Sequence, residues 1–188
     1  MIAGMPGSGK SVLAEAAKKL GIPVVSMGDA VRGEAKKRGL KLTPETLAQL
    51  SLQLRRVRGP AAVAELTLRQ LPPNDVVMIE GVRSLDEVEK FREHFQKVVI
   101  IAVHSSPSTR FRRLLARRRA DDPSSWEEFV ERDRRELGFG LGEVIALSDY
   151  VLVNEGMNKC EFLHKCLELL RDLLTRELAP EQVESDRD

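Results

Sequence analysis

Apolar positions along this chain fall into short unbroken runs that alternate with longer stretches of helical period. Met1-Ile2-Ala3, Pro23 to Met27, Asp75 to Ile79, Lys97 to Val103 and Tyr150 to Val153 are apolar or β-branched and bounded by turn residues, the pattern of buried strands. Between them lie segments that predict helices. Val12 to Leu20 is closed by Gly21, and Ala30 to Gly39 stops at glycine. Glu45 to Arg58 follows a Thr43 cap with Pro44 in the first helical position, and carries Leu47, Leu50, Leu54 and Val57 at helical spacing. Ala61 to Leu71, Leu85 to Phe95, a basic segment after Ser106-Pro107-Ser108, and Trp126 to Leu137 follow. Gly138 to Gly142 reads as a flexible join. Asn158 to Leu178 is amphipathic, with Leu163, Leu167, Leu170 and Leu174 on one side; such a stripe packs on the core more often than on a partner. The tail at 180–188 is polar and expected to be loose.

Five strands alternating with helices predict an α/β fold, a five-stranded parallel sheet with helices on both faces. In such sheets ligands sit beyond the carboxyl ends of the strands. Asp29, Glu80 with Arg83, His104 and Asn154 all follow strands directly, so the polar chemistry gathers where that rule expects it.

Composition changes this picture little. At 188 residues the expectation is a single domain over 1–179. Thirty basic against twenty-nine acidic residues give a net charge of +1, too little for a general polyanion binder, so nucleic acid is not the expected partner. Cys160 and Cys166 fall in one predicted helix and suggest neither a disulfide framework nor a metal cluster. No apolar run reaches bilayer length, so no membrane role and a cytoplasmic setting are expected.

The candidate chemistry starts at Gly4-Met5-Pro6-Gly7-Ser8-Gly9-Lys10-Ser11, which fits G-x-x-x-x-G-K-[ST], the phosphate-binding P-loop. Glycines let successive backbone N–H groups face one phosphate, and the following helix adds its positive end. Lys10 would reach the β- and γ-phosphates of a triphosphate, and the Ser11 hydroxyl would be a magnesium ligand. Glu80 ends a strand where a P-loop protein usually keeps an acid that holds magnesium through water. Asp29 ends another. Guanidinium forks suit a moving phosphoryl group, and the chain is rich in them. Arg32 and Arg83 each lie three residues beyond a strand-end acid, and Arg110, Arg113 and Arg117 share one helix face. Of the further arginines at 118–135, Arg132 is the one expected to act. His104 reads as structural. Asn158-Lys159-Cys160-Glu161 matches the guanine-reading N-K-x-D only in part, without a D-x-x-G, and is read as chance; G-x-G-x-x-G is absent.

Together these segments resemble the P-loop nucleotide kinases, especially adenylate-kinase-like and dephospho-CoA-kinase-like enzymes. Ser26 to Arg32 looks like T-G-D-x-[LI]-R, with Met27 for Thr. Glu80-Gly81-Val82-Arg83 looks like D-G-[FY]-P-R, with Glu for Asp and no proline. Arg113 to Arg118 matches R-L-x-x-R-R, and Ser148 to Asn154 is similar to A-D-x-[VI]-[IL]-x-N of dephospho-CoA kinases. The run from Arg132 to Ile145 looks like an archaeal family of adenylate-kinase-related proteins. The resemblance covers the chain to about Leu178; its departures at Met27, Glu80 and Val82 bear on the acceptor rather than the ATP site.

The resemblance implies a P-loop NTPase fold with a helical acceptor-binding insertion at about 30–70 and a short lid at about 118–143. It implies ATP and Mg²⁺ as cofactors. Gly4, Gly7, Ser8, Gly9, Lys10, Ser11, Val12, Arg113 and Asn154 would bind the nucleotide, with Ser11 and Glu80 on the metal. Lys10, Asp29, Arg83, Arg117 and Arg132 would be catalytic, and Asp29, Arg32, Arg58 and Arg83 would hold the acceptor. The favoured acceptor is a nucleoside monophosphate, with dephospho-CoA the runner-up. A switch or ATPase acting on a protein partner is the reading from another class, and a homodimer stays open.

Overall fold

The computed structural model describes residues 1–119 and 122–178. Its centre is β1 (Ile2–Ala3), flanked by β3 (Met78–Glu80) and β4 (Ile101–His104), with β2 (Val24–Ser26) and β5 (Tyr150–Val153) outside them. All pairs are parallel, in the order β2-β3-β1-β4-β5. Parallel strands need crossovers, which the helices supply: α1 (Lys10–Lys19), α2 (Met27–Lys37), α3 (Pro44–Arg58), α4 (Ala62–Leu68), α5 (Leu85–Arg92), α6 (Pro107–Arg117), α7 (Trp126–Gly138), α8 (Leu141–Ala146) and α9 (Lys159–Leu178).

Alternation along each strand sends neighbouring side chains to opposite faces, and the core divides accordingly. Ile2, Met78 and Ile101 meet Leu13 and Ala17 of α1 and Phe162, Cys166 and Leu170 of α9. Ala3, Ile79 and Ile100 meet Val31 of α2, Leu54 of α3, Val63 of α4, Phe91 of α5 and Val144 of α8. The leucine stripe of α9 is therefore core. Burial pushes the Cys166 thiol up to about 12, so at neutral pH it packs as an inert apolar group.

The local signals that predict helix starts are realised: Thr43 accepts from the Thr46 N–H ahead of α3, and Ser106 from that of Thr109 ahead of α6. Elsewhere the structure corrects the pattern. The runs at 75–79 and 97–103 yield strands only from Met78 and from Ile101. The outer ladders begin at the same points, β3 pairing with β2 from Met78 opposite Val24 and β4 with β5 from Ile101 opposite Tyr150. The segment after β2 is no strand end: Ser26 caps α2 directly, which puts Asp29 in a first helical turn. The join at 138–142 ends one helix and starts α8. Val57, expected on the apolar face, is 73% exposed; α3 packs on the core through Leu50 and Leu54. The expected loose tail, and Asp121 of the expected loop, lie outside the described residues.

Candidate active site

Beyond the carboxyl end of β1 the chain closes on itself. Gly7 (φ 81°) and Gly9 (φ 108°) take left-handed backbone, and a Cβ at Gly7 would stand 2.8 Å from the Arg110 carbonyl. A Cβ at Gly9 would run into the Asn154 side-chain amide. Gly9→Ala should therefore destabilise the fold by ~1–3 kcal/mol, measured by urea unfolding; an unchanged midpoint would contradict this packing.

The loop is held from behind. The Ser8 carbonyl accepts from Asn154 Nδ2 at 2.9 Å, Ser105 Oγ at 3.1 Å and Arg113 Nη1 at 3.4 Å. Arg113 Nη2 also donates to both oxygens of Asn154 at 3.1 Å. Burial lowers the Arg113 pKa, opposed by nearby Glu155. Arg113 and Asn154, expected to touch nucleotide, thus line the cleft while their hydrogen bonds shape the loop. Ser8 Oγ is buried and has no hydrogen-bond partner among the described residues; the side chain does not line the cleft, so of the residues expected to bind nucleotide Ser8 contributes here through its backbone.

Lys10 opens α1 and folds back over the loop, donating to the carbonyls of Gly4 at 2.5 Å and Met5 at 3.1 Å. Burial pulls its pKa down to about 8; Glu136 and Glu80 oppose that pull, while Arg83 and Arg132 add to it. A cation kept so poorly solvated is suited to meet an anion. Ser11 and Glu80 line the same cleft and are hard oxygen donors of the type magnesium takes. Among the described residues there is no cluster of three or more acidic, histidine or cysteine ligands, so a metal here would rest on these two with water and phosphate. The residues present fit that arrangement.

The cleft has a volume of about 550 Å³, the size of a small-molecule site. Lys10, Arg83, Arg113, Arg117, Arg119, Arg132 and Lys159 line it against two carboxylates, Glu80 and Glu136. The whole chain carries only +1, so the positive bias belongs to the cleft. Asp122 gathers the far wall, accepting from Arg117 Nε at 2.9 Å, the Arg119 N–H at 3.0 Å and Arg132 Nη1 at 3.4 Å. The Arg117 bond comes first among the reasons its pKa falls to about 2. Arg110 anchors the base of this wall. It is buried, grips Asp133 of α7 with both terminal nitrogens at 2.8 and 2.6 Å, and lies 4.8 Å over the Phe129 ring.

Lys10, Ser11, Glu80, Arg83, Arg113, Arg117, Arg132 and Asn154 are therefore brought together as the sequence predicts. Asp29, Arg32 and Arg58 are not. Asp29 accepts from Arg32 Nε at 2.8 Å with both side chains open to solvent, and Arg58 faces Glu65 at 3.9 Å. The helix that begins at Met27 turns Asp29 outward. Sequence reasoning missed Glu136, Asp133 and Phe129. Their spacing on α7 (i, i+4, i+7) was the signal that they share one face.

A family model described as an AAA domain matches residues 3–130, more than half of the chain. The UPF0200 protein of Pyrococcus furiosus is 58% identical over 161 residues, covering 82% of this chain and 87% of the relative. The chain belongs to the UPF0200 family. Its relative from Methanocaldococcus jannaschii is 50% identical over 177 residues, covering 92% of this chain and 87% of that one. Among solved structures, TT1252 from Thermus thermophilus superposes with a TM-score of 0.67 at 23% identity, over 93% of this chain and 96% of that one. A shikimate kinase from Bacteroides thetaiotaomicron gives 0.57 at 17%, over 92% and 96%. A gluconokinase from Sinorhizobium meliloti gives 0.55 at 20%, over 94% and 93%. At these identities the likeness shows the fold, and this UPF0200 member has that of the P-loop kinases.

Proposed function

We propose that this UPF0200 member transfers the γ-phosphoryl group of ATP to a small phosphate-bearing acceptor, with a nucleoside monophosphate the favoured class. The observation that carries the reading is the convergence of Lys10, Ser11 and Glu80 with Arg83, Arg117 and Arg132 on one cleft. An acceptor phosphate oxygen would form a bond to the γ-phosphorus as the bond to the β–γ bridging oxygen breaks and ADP leaves. Ser11, with Glu80 through water, would hold a Mg²⁺, which would neutralise charge on the phosphate oxygens. Lys10 would place its ammonium on the same oxygens, and the loop's N–H groups would fix the triphosphate. Arg117 and Arg132 would close over the moving group and exclude water. In this reading α7 and its flanks act as the lid and residues 30–70 as the acceptor-binding insertion.

A second reading, a nucleotide-driven switch that needs no acceptor, is favoured by one observation: Arg83, the acceptor arginine that reaches the cleft, is already paired with Glu136 at 2.6 Å. ADP release stimulated by an acceptor supports the kinase; release indifferent to every acceptor supports the switch.

The partly buried lysine makes the nucleotide step sensitive to pH. Phosphate binding needs the ammonium, which the empty site sheds near pH 8, while a bound anion raises its pKa. ADP affinity should be flat up to about 8 and then fall by about tenfold per pH unit, with proton uptake in calorimetry. A flat profile to pH 9 would contradict it. Stability runs the other way. The unfolded chain keeps this proton to about 10.5, so the cost of burying the charge is full below 8 and is relieved as pH rises from there.

A further inference from the structure

One carboxylate in the cleft has no part in that chemistry. Glu136, near the end of α7, accepts from Arg83 Nε at 2.6 Å and from Arg83 Nη2 at 3.4 Å. It is the charge that acts most strongly on Lys10. An acid beside a phosphate site repels the ligand, so this side chain works against the cleft's own bias.

Its partner is fixed from the other side. The Arg83 N–H donates to Glu87 Oε2 at 2.8 Å, and Glu87 Oε1 accepts from Arg55 Nη2 of α3 at 2.5 Å. Glu87 is fully buried, so the root of Arg83 is held by a satisfied internal ion pair. Arg55 in turn lies 5.2 Å over the ring of Phe139, three residues after Glu136. The guanidinium is thus a preformed fork on a rigid base, and the group filling it arrives on a helix whose middle is gripped separately, by Arg110 on Asp133.

We propose that Glu136 is an internal stand-in for the acceptor's phosphate: its carboxylate fills the Arg83 fork in the empty protein, and a phosphate monoester dianion displaces it. The proposal rests on the phosphoryl-transfer reading. A guanidinium accepts carboxylate and phosphate in the same two-pronged geometry, so one can replace the other without rebuilding the site. The dianion wins by its second charge, and a neutral alcohol lacks the means to open the pair. Glu136 therefore acts as a specificity-determining residue that admits doubly charged acceptors. Its release frees the end of α7 while Asp133 keeps the middle docked.

The test titrates inorganic phosphate into protein whose P-loop is already saturated with magnesium and a non-hydrolysable ATP analogue, so that the phosphate is left with the second seat. Glu136→Gln keeps the shape and removes the competing charge; phosphate should bind about tenfold more tightly. Glu136→Asp keeps the charge but withdraws it from Arg83, and should also tighten phosphate binding, which a purely long-range charge effect would not produce. Unfolding midpoints of both variants establish that they are folded. Phosphate affinity that is unchanged or weaker in both, with the analogue still bound, overturns the stand-in role and leaves the kinase reading in place. Failure of the wild-type protein to bind the analogue overturns both.

Discussion

Lys10→Ala should abolish acceptor-dependent ATP turnover, lowering kcat/KM by on the order of 10³-fold or more. Three features of the site argue for so large an effect. The ammonium is held at the loop by bonds to the carbonyls of Gly4 and Met5 at 2.5 and 3.1 Å, so it already stands where the loop would receive phosphate. It is poorly solvated, as its depressed pKa of about 8 records, and an electrostatic contact made out of water is worth more than one made in it. No other lysine or arginine emerges from the loop itself. Coupled ADP release measures the loss, and thermal unfolding separates it from misfolding. Turnover within a few-fold of wild type would remove Lys10 from the mechanism.

Asp133→Ala should cost the largest share of stability, about 3–5 kcal/mol. Arg110 is 4% exposed, and Asp133 receives both of its terminal nitrogens. What remains to the guanidinium is the carbonyls of Ser105 and Pro6, both at 3.2 Å, and the face of Phe129. Those are neutral partners, so the variant leaves a buried charge without its counter-ion. The loss should also reach the nucleotide site. Pro6 belongs to the P-loop, and the carbonyl of Arg110 itself backs Gly7. Urea unfolding gives the stability, and nucleotide titration shows whether the loop loosens with it. A change below about 1 kcal/mol would mean that Asp133 adds little beyond a solvated pair.

Both predictions combine a feature that sequence alone exposes with one that it does not. The P-loop is readable because its chemistry is contiguous: three glycines with positive φ, a lysine and a serine lie within eight residues. The strand-end rule likewise finds Glu80 and Asn154, since five apolar runs imply the sheet and the sheet implies where ligands go. The rest depends on partners distant along the chain. Arg83 meets Glu136 across 53 residues, and nothing local to either marks the other. Asp29 carries a motif position yet faces solvent, because the helix starts three residues earlier than the pattern suggests, and one helical residue turns a side chain by about 100°. The strands at 75–79 and 97–103 are shorter than their β-branched runs because a ladder needs a neighbour, and the outer strands β2 and β5 pair with them only from Val24 and Tyr150. Asn154 shows both sides at once. Its place at a strand end was readable; its work of holding the Ser8 carbonyl and crowding Gly9 was not.

The most direct measurement is ADP release from Mg·ATP in the presence of AMP, CMP, UMP, GMP, dTMP or dephospho-CoA, with the products weighed by mass spectrometry. Phosphoryl transfer predicts that one acceptor stimulates release strongly and gains the mass of a single phosphoryl group. Steady release that ignores every acceptor, with none of them gaining mass, would contradict it.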